Sequence, residues 1–569
     1  MRLGEKVTEL SKRRGFYFHT SGAYGGVGGF QTFGPEGAEL KRNIEDSWRD
    51  KFSRELGNRE IEAPTIMQED VFRASGHLET FDDMIIECPE CGESIRADHL
   101  VEDNTGIEEA ESLSTERIEE LISGHDIKCG SCGNELSEIE VEDFNLMFET
   151  SIGPGDSQPG YLRPETAQGI FVEFPQLKEY ERNQLPFGIT QIGKAYRNEI
   201  SPRKGLVRVR ELTQAELEKF IDPVEDEPPL EEVDDVELKL YPRERQGEGE
   251  QDYLRLTVRE AVEEEVVESE WIAYYLAHAK LWFESIGVDM ERFRFRQHLE
   301  DELSHYSTDC WDAESQVDGD WIEIAGFSYR GCYDLSKHEK YSQDDFKVFK
   351  EYEEPRVEKR AKVDPDMGWL GPTYGDHASE ISEELERMVE EEPEVFERNE
   401  ELRLEIDGKM FEVPVEKTGF KIEEVKKNGE HILPHVAEPS FGIDRAVYTV
   451  LGHAYDEDEV DGEERKVLRM SNDVVPTQVA VFPLMDKPEL SEKAREVEQK
   501  LRNAGFSVKY DESGSIGKRY RRQDEIGTPF CITVDYETLE EEPETVTVRY
   551  RDSTEQERID ISKLKEYLE

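Results

Sequence analysis

The chain has 569 residues, 36% of them charged, with 134 acids against 70 bases and a formal net charge of −64. Its apolar fraction is also 36%, with 22 Tyr, 26 Phe and 6 Trp, and the acids are spread along the whole length. This argues against a disordered polyacid and fits a globular protein of about three or four domains with a carboxylate-rich surface, as in cytoplasmic proteins of salt-accumulating organisms; an ordinary acidic protein with disordered arms is the alternative. The N-terminal MRLGEKVTELSKRRGF lacks the apolar core of a signal peptide, and no apolar run approaches the length of a membrane span, so a cytoplasmic location is expected.

In chain order, 1–81 opens with an amphipathic helix over 38–56, where Leu40, Ile44, Trp48, Phe52 and Leu56 recur at spacing four. The alternating NREIEAPTIM follows and contains Pro64, which places it as a strand at an edge or interface. Residues 82–145 form an insertion bracketed by two CxxC pairs, and 146–220 return to strand and turn signals. Residues 221–270 hold 19 acids and 5 bases, as a solvated insertion or a small acidic subdomain. Residues 271–375 begin with a buried-face helix (271–286) and contain a strand and turn over 318–335. Residues 376–415 are acidic and peripheral, and 416–475 carry a last chemical signature at 429–451. From Pro476 to 569, strands alternate with a helix ending at Gly505, which predicts a separate α/β domain with a partly parallel sheet.

CPECG and CGSCG supply Cys88, Cys91, Cys129 and Cys132, two knuckles able to aim four thiolates at one tetrahedral zinc. The glycine after each pair allows the positive φ of such a turn. Four thiolates leave no open position, so the zinc is structural; a metal-free or disulfide-paired site is the alternative. The 37 intervening residues must carry an element of their own, with TERIEELISGHD as its helix.

Residues 193–212, GKAYRNEISPRKGLVRVREL, hold six cations (Lys194, Arg197, Arg203, Lys204, Arg208, Arg210) and two acids inside this acidic chain. Read as two strands joined by a loop, they place Arg197 with Glu199 on one face, and likewise Arg208 with Arg210. Cations so arranged suit a polyphosphate. SIGKRYRRQDEIGTPF, 515–530, adds Lys518, Arg519, Arg521 and Arg522 around Tyr520, which suits single-stranded RNA. The alternative for both is a solvated strip that offsets the acidic surface.

TFGPEGAEL, LRPETAQGIF, RNEISPRKGLVRVREL, QAELEKF and HVAEPSFGIDR stand in the order seen in glycyl-tRNA synthetases of the dimeric archaeal and eukaryotic type, which the chain resembles over nearly its whole length, including RADHL between the cysteine pairs. The acidic stretches and Asp444 depart from the pattern. The resemblance implies an α+β fold: a class II catalytic domain with an antiparallel sheet flanked by helices, a zinc-ribbon-like insertion, and a C-terminal α/β anticodon-binding domain. It implies a homodimer formed through the 38–56 helix and the Pro64 strand. The substrates would be ATP with Mg²⁺, glycine and tRNA(Gly). Within the matching motifs, Arg197 would grip the α-phosphate, Glu199 would read the adenine amino group, Arg208 and Arg445 would hold the outer phosphates, and Glu323 would hold Mg²⁺. Asn198, Val207, Glu211, Leu212, Ile324 and Phe441 complete the ATP set. Glu165, Glu216 and Glu438 would face the ammonium of glycine beside Ser440, Arg330 would orient its carboxylate, and Arg96 would lie nearby. Lys518, Arg519, Tyr520, Arg521 and Arg522 would meet the anticodon. Two rivals are another class II synthetase and a catalytically dead paralogue that binds nucleic acid. The second predicts loss of Arg197, Glu199 or Arg445, and all are present.

Overall fold

A computed structural model describes every residue except 1, 106, 108–109, 111–112, 137–138, 156–157, 201, 203–204, 247–251, 301, 303–308, 407, 461, 541 and 569, and except the side chains of 353 and 358. Arg203 and Lys204 of the cationic stretch therefore lie outside the described residues.

The larger of two compact units comprises Met1–Phe346 and Leu433–Glu569. Its centre is a nine-stranded sheet built from β1 (Arg59–Glu60), β2 (Phe187–Tyr196), β3 (Glu211–Ile221), β4 (Glu237–Tyr241), β5 (Leu254–Thr257), β6 (Phe293–Gln297), β7 (Asp309–Val317), β8 (Asp320–Gly331) and β9 (His435–Gly442). The spatial order is β5-β4-β6-β7-β8-β9-β3-β2-β1. Neighbours are antiparallel except β1 with β2 and β4 with β6. Among the helices that serve this unit's core and site are α1 (Pro35–Trp48), α2 (Glu270–Ser285), α3 (Tyr333–Ser342) and α4 (Ile443–Ala454).

The spacing-four run is helical as expected: Leu40, Ile44 and Trp48 lie on α1, Phe52 lies in the wider π-helical turn Arg49–Glu55 that extends it, and all four are fully buried. Burial of each such side chain is worth about 2 kcal/mol. Their partners come from α2 and β9, with the Phe441 ring 4.7 Å from Phe52 and 5.3 Å from Trp282. Because strand residues alternate, Phe441 faces this helix-covered side and Ser440 faces the other, where the site is built.

The acidic stretch 221–270 is neither a solvated insertion nor a subdomain. It supplies β4 and β5, which extend the main sheet, and Leu238, Leu240, Val258 and Ala261 are buried in the main core. The alternation of ELKLY carries the strand, with Leu238 and Leu240 buried and its one acid, Glu237, exposed.

Residues 82–145 contain a three-stranded sheet (Asp82–Glu87, Ser94–Arg96, Glu142–Asn145) and the helices Ala97–Thr105 and Thr115–Gly124, the second lying in the expected segment. Ile86, Val101, Ile118 and Ile122 form a core of their own there.

The second compact unit runs from Lys347 to Ile432, wider than the acidic stretch 376–415. A long ribbon, Val348–Lys362 paired with Lys421–Ile432, accounts for the difference. Its strands carry both charge signs and show no acid excess. Ile381, Leu385, Leu402 and Leu404 form this unit's core.

The C-terminal segment forms a five-stranded sheet of β10 (Val479–Pro483), β11 (Val508–Tyr510), β12 (Phe530–Val534), β13 (Thr545–Tyr550) and β14 (Gln556–Asp560), in the order β11-β10-β12-β13-β14. β10 pairs in parallel with both neighbours and the remaining pairs are antiparallel. Helices α5 (Pro488–Asn503) and α6 (Ile516–Asp524) complete it. Arg13 and Arg14 of the N-terminal helix both pair with Glu525, just after α6.

Candidate active site

The face of the sheet opposite α2 carries two adjoining constellations. The first is a cleft lined by Arg197, Glu199, Val207, Arg208, Leu212 and Arg445, among others. Arg197, Glu199, Arg208 and Arg210 sit on the connection between β2 and β3, not on strands, which corrects the expected alternation. Hydrogen bonds hold them instead: the Arg197 N–H donates to the Arg210 carbonyl at 3.0 Å, and Arg210 Nε donates to the Glu199 carbonyl at 3.0 Å. Arg197 also lies over the Phe81 ring at 5.7 Å. Arg208 Nε is 3.7 Å from the buried Glu199 carboxylate. Arg445, near the start of α4, donates to the Val207 carbonyl at 3.0 Å and to the Glu323 carboxylate at 2.9 Å.

Ile324 and Phe441 are buried in the helix-side core, so their side chains do not line this cleft. Glu211 pairs with Lys194 at 3.2 Å, and the Asn198 backbone N–H donates to the Leu146 carbonyl at 2.8 Å.

For a magnesium ion the donors at hand are oxygen atoms, as that ion requires. Arg445 and Arg197 hold the exposed Glu323 carboxylate below the usual carboxylate range. Asp312 on the neighbouring strand accepts from His298 at 2.9 Å. An ion held by Glu323 would offset charge on the outer phosphates.

The second constellation is a buried carboxylate pocket. Glu216 on β3 is in register with Ser440 on β9 and accepts its hydroxyl at 2.7 Å. The Thr166 hydroxyl donates to the other Glu216 oxygen. Arg330, 4% exposed at the end of β8, donates to Glu438 at 2.6 Å and to both oxygens of Asp334 at 2.7 and 2.9 Å. Gln168 donates to Glu165 at 2.9 Å, and the His77 ring lies 3.7 Å from the second Glu165 oxygen. Burial alone would raise Glu165, but His77 and Arg330 hold it well below the usual carboxylate range. Burial pushes Glu438 up to about 8 and raises Glu216, with Glu165 adding to the latter.

The structure thus brings together Glu165, Glu216, Glu438, Ser440 and Arg330. It does not add Arg96 to them. Arg96 is buried in the insertion between Asp83, at 3.1 Å, and Asp98, whose carboxylate it grips with Nε and one terminal nitrogen. That group faces the ATP-side residues: Glu199 and Arg208 act on the Asp83 charge, and His99 contacts Arg208 at 3.4 Å. Sequence reasoning missed His77, Thr166, Gln168 and Asp334. Thr166 and Gln168 stand inside RPETAQG, next to a residue already singled out, and that adjacency was the available signal.

The four CxxC thiols converge. Cys88 and Cys132 sulfurs are 3.6 Å apart, and Cys91 and Cys129 sulfurs are 3.7 Å apart. A tetrahedron with Zn–S bonds of about 2.3 Å has edges of about 3.8 Å, whereas disulfide sulfurs lie about 2.05 Å apart. The donor set therefore fits zinc and excludes a disulfide. Gly92 and Gly133 take φ of 68° and 73°, and each donates its N–H to the first cysteine carbonyl of its knuckle at 2.8 Å.

In the C-terminal domain the basic stretch divides. Arg519 is buried and donates to the carbonyls of Pro483, Glu512 and Gly514, and the Tyr520 hydroxyl bonds Thr533 at 2.7 Å. Burial removes Arg519 from the expected RNA surface, whereas Tyr520 is half-buried. Lys518 is exposed, while Arg521 and Arg522 are partly exposed and paired with Asp524 and Asp511.

A sheet of this topology with arginines at the β2–β3 connection and the start of α4, followed by a mixed α/β domain, defines a class II aminoacyl-tRNA synthetase. A family model of the tRNA synthetase class II core domain (G, H, P, S and T) matches residues 154–243, and one of the anticodon binding domain matches 478–569. Glycine–tRNA ligases are similar along nearly the whole chain. That of Methanothrix thermoacetophila is 49% identical, covering 98% of this chain and 95% of its own. Those of Thermococcus sibiricus and Methanocaldococcus jannaschii are 46% and 43% identical, each covering 99% of this chain and 98% of its own. The chain belongs to the glycine–tRNA ligase family. Among the described residues no helix is long and apolar enough to cross a membrane.

Proposed function

We infer that the chain activates glycine with ATP and transfers it to the 3′ end of tRNA(Gly). The observation that carries this is the meeting of Glu165, Glu216 and Glu438 in one buried pocket beside the cleft of Arg197, Arg208 and Arg445. An amino acid without a side chain offers only an ammonium and a carboxylate to hold. Carboxylates suit the first, Arg330 suits the second, and a filled, charged pocket disfavours a β-carbon.

In the first step the glycine carboxylate attacks the α-phosphate of ATP and pyrophosphate leaves. Arg197 stabilises charge on the α-phosphate, and Arg208 and Arg445 take the outer phosphates once substrate draws Arg445 from Glu323. Glu199 accepts from the adenine amino group. In the second step the terminal ribose hydroxyl attacks the adenylate. Positioning and charge neutralisation dominate both steps, and little proton transfer is asked of the protein. Magnesium at Glu323 and zinc at Cys88, Cys91, Cys129 and Cys132 complete the assignment, the zinc fixing the insertion. The enzyme acts in the cytoplasm as a homodimer, for which α1, the edge strand β1 and the segment through Pro64 are the matching elements. Lys518, Arg521 and Arg522 face the anticodon.

Pyrophosphate exchange with each of the twenty amino acids tests the reading. Glycine alone is expected to support exchange, and comparable exchange with alanine at saturation overturns it. Arg197→Ala is expected to reduce exchange by at least about a hundredfold with the fold intact, because the lost contact acts on the transition state. Activity within a few-fold of the unmodified chain would contradict the role.

A further inference from the structure

Glu218 on β3 is 0% exposed, and among the described residues neither of its carboxyl oxygens has a hydrogen-bond partner. A buried, unpartnered carboxyl is costly, and costlier still when ionised. The register that pairs Glu216 with Ser440 and Lys219 with Ala437 sets Glu218 directly opposite Glu438 on the same face of the sheet. Side chains so placed have Cβ atoms about 5 Å apart, and like charges there repel. The surroundings deepen the conflict. Glu216 comes from the same strand, Glu438 from β9, Asp334 from α3 and Glu165 from the segment before Thr166, while Arg330 on β8 lies among them and the buried Arg163 acts on Glu216. The His338 imidazole on α3 is lowered to about 4 by burial and brings no charge, and the Tyr275 phenol on α2 is raised well above its usual value. His77 answers Glu165 on the far side. Five carboxylates crowded in a buried site around two arginines favour protonation of at least one of them.

We propose that Glu218 is a positioning residue of the glycine pocket: it stays a neutral carboxylic acid and donates its hydrogen bond to the Glu438 carboxylate once the ammonium of glycine has displaced that group's proton to solvent. The neutral acid gives Glu438 a fixed orientation without adding a charge that would repel it. Burial, with Glu438 opposite, raises Glu218 well above the usual carboxylate range, in the direction this role needs. The two carboxyls then titrate as a pair.

The inference rests on the glycine reading above, and its test separates the two. Glu218→Gln keeps a neutral donor of the same shape. It is expected to hold the glycine KM within about threefold of the unmodified chain, with kcat unchanged. Glu218→Leu removes the donor and is expected to raise the glycine KM about tenfold or more, with the ATP KM unmoved. At pH 9 with glycine bound, the infrared C=O stretch of a protonated carboxyl should be present in the unmodified chain and absent in Glu218→Gln. The proposal is overturned if Glu218→Gln is as impaired as Glu218→Leu, if Glu218→Leu matches the unmodified chain, or if the infrared band is missing or survives Glu218→Gln. Should Glu218→Leu fail to fold, the glutamine variant and the band decide. Failure of glycine exchange in the unmodified chain counts against the parent reading, whereas the band reports on Glu218 alone.

Discussion

The Asp444 carboxylate accepts the backbone N–H of Thr213 at 3.0 Å, joining the first turn of α4 to the start of β3. Its other oxygen lies 4.0 Å from the Lys41 ammonium on α1. One buried acid thus ties together α1, the start of β3 and the first turn of α4. What reads as a departure from the family pattern is a structural clamp. Asp444→Ala strands the Thr213 amide and is expected to cost about 2 kcal/mol of stability and to raise the ATP KM, because Arg445 is the next residue. A Tm equal to that of the unmodified chain would remove the clamp from the account.

Glu438 and Glu165 give opposite pH signatures. Glu438 is pushed up to about 8, so in the empty pocket it is largely protonated at pH 7, and binding of an ammonium requires its ionised form. The kcat/KM for glycine should therefore rise with pH and level off above about 8, with a proton released on binding at pH 7. Calorimetry in buffers of different ionisation enthalpy checks the release. Glu165 is depressed, so its contribution to stability is complete above the unfolded carboxylate value of about 4.3 and is lost as pH falls from there toward its folded value. Acid unfolding of Glu165→Gln should lack that loss. Identical acid limbs in the two chains would contradict the His77–Glu165 pairing.

Removal of zinc should act on the insertion and leave the sheet intact. Cys88→Ser is expected to lower the metal content by one equivalent and to speed hydrogen exchange across 82–145. Because the hairpin beyond Cys88 carries Arg96, and His99 reaches Arg208, the ATP KM should rise more than the glycine KM. Unchanged metal content by elemental analysis would show that the thiols hold none.

Lys518 and Arg519 are neighbours in sequence and opposites in role. Lys518→Ala should raise the KM for tRNA and leave glycine activation and Tm alone. Arg519→Ala should destabilise the C-terminal domain by about 3 kcal/mol, since it orphans three carbonyls. Equal effects on Tm would mean that Arg519 is not the domain's internal tie.

This pair shows what sequence could and could not say. A spacing of four made Leu40 to Phe52 a helix because one apolar face is enough to define it. CxxC spacing defined the zinc knuckles because a knuckle is local. Exposure of a single arginine depends instead on carbonyls that the fold brings to it from Pro483 and Glu512. The same holds for His77, whose partner Glu165 is brought to it by tertiary contacts and leaves no periodic trace. The strands of 221–270 were hidden for another reason: outward acids set the composition while Leu238 and Leu240 set the structure.

Salt dependence pits two effects against each other. At 0.01 M the Debye length is about 30 Å, so a net charge of −64 repels itself across the molecule and repels tRNA as well. At 1 M it is about 3 Å, and that self-repulsion is largely screened. Screening also weakens contacts between cations and RNA phosphates, by a factor that grows with each phosphate neutralised. The division of the 515–530 stretch bears on the balance. With Arg519 buried and Arg521 and Arg522 already paired to acids, few cations there are free to make salt-sensitive contacts. The long-range field then dominates, and folding stability should rise up to molar KCl, with aminoacylation persisting there. Thermal melts in 0.1 M and 2 M KCl decide the matter. A Tm equal or higher in the dilute salt would show that the acidic surface is not a salt adaptation.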